Sequence, residues 1–152
     1  MNDLATNPHG STQFKPNTTV AVVVVCQGKF LLVEEIENGR TVYNQPAGHL
    51  EANENLIDAA IRELEEETGL ISSIDYLSGI YYYFRASLSL YYLRFCFVIE
   101  RDCFEPCKPQ DTEILACHWL TYDEIKAKSA QLRSSLVLEC IEDYLSGKKI
   151  SL

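Results

Sequence analysis

The densest chemistry in this 152-residue chain lies at residues 48–70, GHLEANENLIDAAIRELEEETGL, where glutamates gather at 63 and 65–67 beside Arg62. Turned as a helix at about 100° per residue, with Leu56 at zero, the stretch places Leu56, Ala60, Leu64, Ile57 and Ile61 in one arc of about 140°, a buried stripe. Beside that stripe fall Glu63, Glu66 and Glu67, with the small Ala59 between them, while Glu65 and Asp58 point toward solvent. Like charges three and four residues apart repel by about 0.2–0.5 kcal/mol each, and acids in the last turn oppose the helix dipole. Such a face calls for a cation. Ligands that are all oxygen favour a hard divalent ion, Mg²⁺ or its substitute Mn²⁺, over zinc, and Mg²⁺ typically bridges protein carboxylates to the phosphates of a substrate.

The helix carrying these acids has marked ends. Asn55 is a good N-cap with Asp58 three residues on, and Gly69 supplies the left-handed stop, so the helix is expected over 56–68. Around it, Thr18 to Val25 is a β-branched run apolar on both faces, hence a buried strand, and Lys29 to Ile36 follows after a Gln27-Gly28 turn. Asn38-Gly39 is a hairpin signal that returns the chain through Arg40 to Asn44. Gln45-Pro46-Ala47-Gly48 then reads as a tight irregular loop. Strands are expected at 75–85, 91–100 and 114–120, helices at 123–128 and 136–145, and residues 101–110 form a loop. In the strand at 91–100, Tyr91, Leu93, Phe95 and Phe97 alternate with Tyr92, Arg94, Cys96 and Val98, which makes two unlike faces. The result is an α/β chain: a mixed sheet with helices on its faces.

Residues 1–15 are polar and aperiodic and read as a flexible arm, leaving 16–152 as one domain. Thirteen lysines and arginines against 22 acids leave a net charge of −9, which supplies no cationic footprint for a nucleic-acid polymer. No apolar run has membrane-spanning length and no secretory leader pattern occurs, so no membrane partner and a cytoplasmic location are the expectation. The six cysteines, at 26, 96, 103, 107, 117 and 140, form no CxxC pair and read mainly as reduced core residues. A zinc site from Cys103, Cys107, Cys117 and His118 is disfavoured, because neighbours 117 and 118 on a strand face opposite sides.

Gly48, Glu54, Arg62, Glu63, Glu66, Glu67 and Gly69, with apolar Leu64 and Leu70, satisfy G-x5-E-x7-R-E-U-x-E-E-x-G-U at every position. This is the Nudix box, and the chain is identified by it as resembling the Nudix (MutT-like) hydrolases. The stretches FKP, VAVVV, GKFLLVEE, NQPAGHLEA, LRF, HWL and LRSSLV extend the likeness to the NudJ-type phosphatase branch, including Ala47 and His49 where a Pro-Gly-Gly run is usual in the family. The resemblance implies an α/β/α sandwich with a loop-helix-loop site. It also implies metal ligation by Glu63, Glu66, Glu67 and the Gly48 carbonyl, and an Arg62 that fixes a helix glutamate by a salt bridge. The general base is left open between Glu63 and an acid on a later loop, for which Glu113 beside Asp111 is the candidate. Glu54 is expected to orient the loop.

Substrate contacts are read from the residues. Arg94, a lone cation on an apolar and aromatic strand, is a candidate phosphate clamp. Gln45, His49 and Tyr43 join it, and Tyr81, Tyr82, Tyr83 and Phe84 are divided between ring stacking and core packing. The expected function is Mg²⁺-dependent hydrolysis of nucleoside tri- or diphosphates, or of small pyrophosphates such as hydroxymethylpyrimidine diphosphate, by a monomer or homodimer. Alternatives are another nucleoside-diphosphate-linked substrate (ADP-ribose, a dinucleoside polyphosphate, an oxidised nucleotide), a non-catalytic nucleotide-sensing module, or a diphosphate isomerase.

Overall fold

The helix that carries the acids is the element whose limits the local signals mark most strongly, and in the computed structural model α1 spans Leu56–Thr68, as expected. The Asn55 side chain accepts from the Asp58 amide at 2.8 Å, and Gly69 adopts φ +75°, closing the last turn with its amide on the Glu65 carbonyl. The structure describes residues 12–152. The arm expected over 1–15 therefore lies outside the described residues up to residue 11; farther on, the Phe14 ring stands edge-on to Tyr91 at 5.4 Å.

Seven strands, β1 (Asn17–Cys26), β2 (Lys29–Glu37), β3 (Arg40–Asn44), β4 (Ala47–His49), β5 (Tyr76–Arg85), β6 (Leu90–Arg101) and β7 (Ala116–Thr121), form one mixed sheet. Helices α2 (Tyr122–Ala127) and α3 (Leu136–Leu145) complete the order. The hairpin turns at Gln27-Gly28 and Asn38-Gly39 hold both residues at positive φ, the conformation whose twist suits a two-residue hairpin.

Strand β1 is the hub. It runs parallel to β6 over ten register pairs, from Asn17↔Tyr92 to Cys26↔Arg101, and meets β2 only at Val25↔Phe30 and Cys26↔Lys29. Beyond that short junction β2 pairs with β3 and β7, while the start of β1 pairs with β4 at Thr19–Ala21. The sheet thus splits like a V whose apex is the β1–β2 turn. Its two faces carry separate cores. Val20, Val22, Val24, Phe97 and Ile99 pack on Ala59, Ala60 and Leu64 of α1; Ala21, Val23, Cys96 and Val98 pack on Val137, Cys140 and Ile141 of α3. A buried strand between two helical layers must be apolar on both faces, which is why TTVAVVVV does not alternate.

Residues 45–48 correct one expectation. Ala47–His49 is a short strand, not an irregular loop, because its backbone completes the exposed flank of β1 where β2 has moved away. A 3₁₀ turn, Ser129–Gln131, also went unanticipated. Of the six cysteines, all free, only Cys26, Cys96 and Cys140 are buried; Cys107 and Cys117 are half-buried and Cys103 is exposed. Among the described residues no helix is long and apolar enough to cross a membrane.

Candidate active site

Arg62 organises the acids. Its Nε and Nη2 grip both carboxylate oxygens of Glu54 at 3.0 and 2.7 Å, and Nη1 donates to Glu63 at 2.8 Å and to Glu66 at 3.3 Å. Nη2 also donates to the His49 carbonyl at 3.0 Å, which ties the helix to the end of β4. Glu54 in turn accepts from the Glu51 amide at 2.8 Å, so it does hold the loop that enters α1. The Arg62 hydrogen bonds, helped by that amide, draw the Glu54 carboxyl down to about 2.

The Glu63 and Glu67 carboxyls lie over β4. A side chain at position 48 would collide with the Glu63 carboxyl, so glycine there is what lets the acid lie against the backbone. Glu67 is 6 % exposed and accepts from the Ala47 amide at 2.7 Å. Burial pushes its carboxyl up to about 8 against that hydrogen bond, with Glu35, Glu63 and Asp111 adding repulsion. Burial likewise raises Glu63, despite Arg62 beside it.

The loop before β7 is fastened to the end of α1. Lys108 donates its amide to the Thr68 carbonyl at 2.8 Å, and the Gln110 and Asp111 amides share the Glu66 carbonyl at 2.9 and 2.8 Å. Gly69 passes so close to the Lys108 carbonyl that a Cβ there would stand 2.5 Å from its oxygen. Helix ends leave their last carbonyls unpaired, and here the loop satisfies them. This delivers Asp111 and Glu113 to the site, with Asp111 Oδ1 accepting from the Glu113 amide at 2.9 Å.

The mouth of the V opens into a cleft of about 210 Å³. Glu35, Glu63, Glu67, Asp111 and Glu113 line it together with Arg85, Arg94 and Arg133. Arg94 sits across from Thr19 and Tyr81 in register, with its Nε and Nη1 buried and unpartnered among the described residues. Thr19 Oγ1 and Asn44 Oδ1, also in the cleft, are buried in the same condition. An orphaned buried polar atom costs about 1–3 kcal/mol, more when charged, so the chemistry of these walls suits a polar, anionic ligand.

For a divalent ion, the donor set fits: two carboxyls that burial makes costly to ionise, Glu63 and Glu67, beside the backbone of Gly48. Among the described residues no three His, Cys, Asp or Glu side chains already converge on one point, since Arg62 holds Glu63 and Glu66.

The structure therefore brings together Gly48, His49, Glu63, Glu67, Arg94 and Glu113 from the residues singled out in the sequence. Others fall elsewhere. Glu66, its side chain 46 % exposed, turns outward to Arg62 and does not line the cleft. Gln45 is 1 % exposed and donates to the Val137 carbonyl at 2.7 Å, and Tyr43 is packed between His118 and Lys128 with its hydroxyl on Glu34 at 3.2 Å. Neither lines the cleft, because the end of β3 is covered by Arg133 and the start of α3. Of the aromatic run, only Tyr83 faces the cleft; Tyr81 is buried, and Tyr82 and Phe84 lie on the opposite, exposed face of β5. Glu35, Arg85, Asn44, Thr19 and Arg133 were not anticipated.

Residues 15–139 match the model of the NUDIX domain. The chain is 46 % identical over 139 residues to Phosphatase NudJ of Shigella boydii, an alignment covering 91 % of this chain and 90 % of that protein. Against Phosphatase NudJ of Escherichia coli strain K12 the identity is 45 % with the same coverage. A solved NUDIX hydrolase from Nitrosomonas europaea superposes with a TM-score of 0.85 at 47 % identity, over 91 % of this chain and 94 % of that one.

Proposed function

The chain belongs to the Nudix family and is a hydrolase acting on phosphoanhydride-type bonds; from that premise we propose that it is a Mg²⁺-dependent phosphohydrolase of nucleoside tri- and diphosphates or small pyrophosphates. One observation carries the reading: a single cleft is lined by carboxylates and by an arginine whose Nε and Nη1 are buried without partners among the described residues. A diphosphate needs both. Its own negative oxygens repel a nucleophile, so hydrolysis depends on cations against those oxygens and on a water made basic in line with phosphorus.

In this reading Glu63, Glu67 and the Gly48 backbone hold the divalent ion, which supplies charge neutralisation and an acidified water. Glu66, which rests on Arg62, would join them as a ligand on turning inward. Arg94 binds a phosphoryl oxygen with nitrogens already stripped of water, so little desolvation remains to be made on binding. Glu113, on the loop locked to α1, takes the proton of the attacking water, with Asp111 fixing its backbone. Arg62 sets the direction of the glutamates and the position of His49. The domain spans 16–152 and works on a small phosphorylated molecule. The −9 net charge and the acidic walls fit a substrate that arrives with its metal.

The test is phosphate release, followed by malachite green with and without added pyrophosphatase. The panel covers nucleoside triphosphates, nucleoside diphosphates, ADP-ribose, dinucleoside polyphosphates and hydroxymethylpyrimidine diphosphate, in Mg²⁺ and in EDTA. Mg²⁺-dependent release from tri- or diphosphates is expected, with Arg94→Gln raising KM at least tenfold. Release only from ADP-ribose or dinucleoside polyphosphates, or none from any, would overturn the proposal.

A further inference from the structure

Two arginines remain after the cleft's acids and Arg94 are assigned. Arg85 ends β5 and Arg133 precedes α3, so they come from opposite sides of the V. Both are held by the same carboxylate. Arg85 is ion-paired to Glu37, and Arg133 Nε lies 3.1 Å from the other Glu37 oxygen, while Arg133 Nη1 donates to both oxygens of Glu35 at 3.0 Å. The Arg133 amide is itself anchored to the Tyr43 carbonyl at 2.9 Å, which fixes the backbone from which the guanidinium reaches in.

Because β5 and β2 lie apart in the sheet order β3-β2-β1-β6-β5, the Arg85–Glu37–Arg133–Glu35 chain crosses the mouth of the cleft. Partly exposed ion pairs of this kind stabilise a fold by about 0–1 kcal/mol each, so folding alone gives little reason for two guanidiniums to converge there. A phosphoryl group gives a better one. Its three oxygens and near-double charge outcompete a single carboxylate for planar guanidinium donors. The register also separates this place from Arg94: Arg94 pairs with Tyr81, and Arg85 is four residues farther along β5, about 13 Å of strand. Both arginines nonetheless line one cleft, at its wall and its mouth.

We propose that Arg85 and Arg133 form a second anion subsite that takes a phosphoryl group beyond the anhydride being cleaved, displacing Glu37 and Glu35, so that the enzyme selects triphosphates over diphosphates. This rests on the phosphohydrolase reading above and names the specificity of the same cleft. The side chains are specificity determinants that touch substrate away from the reacting bond.

The experiment compares KM for a nucleoside triphosphate and its diphosphate in wild type, Arg85→Gln and Arg133→Gln, with Tm recorded for each. The triphosphate KM is expected to rise at least tenfold in each variant, with the diphosphate KM and both kcat values within threefold of wild type. Glu37→Gln, which frees Arg85 and the Nε of Arg133 while Glu35 still holds Arg133 Nη1, is expected to lower the triphosphate KM. Equal rises for both substrates, no rise, or a higher triphosphate KM in Glu37→Gln would each overturn the subsite. A second arm needs no turnover: inorganic triphosphate should raise the Tm of wild type more than pyrophosphate does, and lose that advantage in the arginine variants. Equal Tm shifts overturn the subsite even in an active enzyme. A wild type that cleaves nothing but keeps the triphosphate advantage would sink the hydrolase reading and leave the subsite standing.

Discussion

Glu67→Gln is expected to make the metal-free protein more stable while disabling it. The Glu67 carboxyl is raised from 4.5 to about 8, burial being the largest cause. Because the folded value lies above the unfolded one, the folded state binds this proton more tightly. Its stabilising effect is full below about pH 4.5 and is lost as pH rises toward about 8. At pH 7 the protein has climbed about 2.5 pH units past the ordinary value of 4.5, and at about 1.4 kcal/mol per unit the ionisable carboxyl costs on the order of 3 kcal/mol relative to a neutral isostere. Glutamine retains an oxygen for the Ala47 amide, so the hydrogen bond at 2.7 Å survives. Urea unfolding in EDTA is the assay. With a slope of about 2 kcal/mol/M, the variant midpoint should lie roughly 1–2 M above wild type at pH 7 and within about 0.5 M at pH 5. Added Mg²⁺ should stabilise wild type and leave the variant nearly unmoved, and kcat should fall by several orders of magnitude. A variant no more stable than wild type at pH 7, or a gain equal at both pH values, would refute the argument that burial opposes ionisation of the carboxyl at position 67.

Gly48→Ala should place a methyl on the Glu63 carboxyl and lower kcat/KM at least tenfold, read by phosphate release, with α1 intact by circular dichroism. Arg62→Lys, which cannot grip Glu54 bidentately while reaching Glu63 and His49, should cost about 10–100-fold in activity and weaken the Mg²⁺ dependence of Tm; a silent Lys would mean the fork geometry is unimportant. Glu65→Gln should leave kcat within twofold, since that side chain is absent from the cleft. Leu64→Ala, at 0 % exposure between α1 and β1, should destabilise by about 2–5 kcal/mol in denaturant unfolding without changing KM.

What could be read in the sequence divides along the range of the forces involved. The limits of α1 were legible because Asn55, the apolar stripe and Gly69 are local signals, and the two-faced strand read at 91–100, observed at Leu90–Arg101, because alternation is local too. Strand β4 was not, since three residues show no period and form a strand only because β1 offers an open flank. The helical phase grouped Glu63, Glu66 and Glu67, of which Glu63 and Glu67 line the cleft; a wheel gives the direction of a side chain's base and not the partner that captures its end, as Arg62 does for Glu66. Gln45 and Tyr43 lie close to Gly48 in sequence, and residues around the start of α3 cover them, a long-range contact with no local trace. Arg133 and Arg85 were legible in principle. LRSS stood out as a motif without a task, and Arg85 closes an aromatic strand; asking which cations had no helical or strand-face partner would have found them.

The peptide amides at 108, 110 and 111 that stopper the end of α1 have a mechanical corollary. They weld the acidic loop and the glutamate helix into one stiff jaw, since parting them would bare three amides and two carbonyls at once. Any adjustment to substrates of different length must then come from the opposing jaw, where the hairpin of β5 and β6 meets Glu37 through a single ion pair.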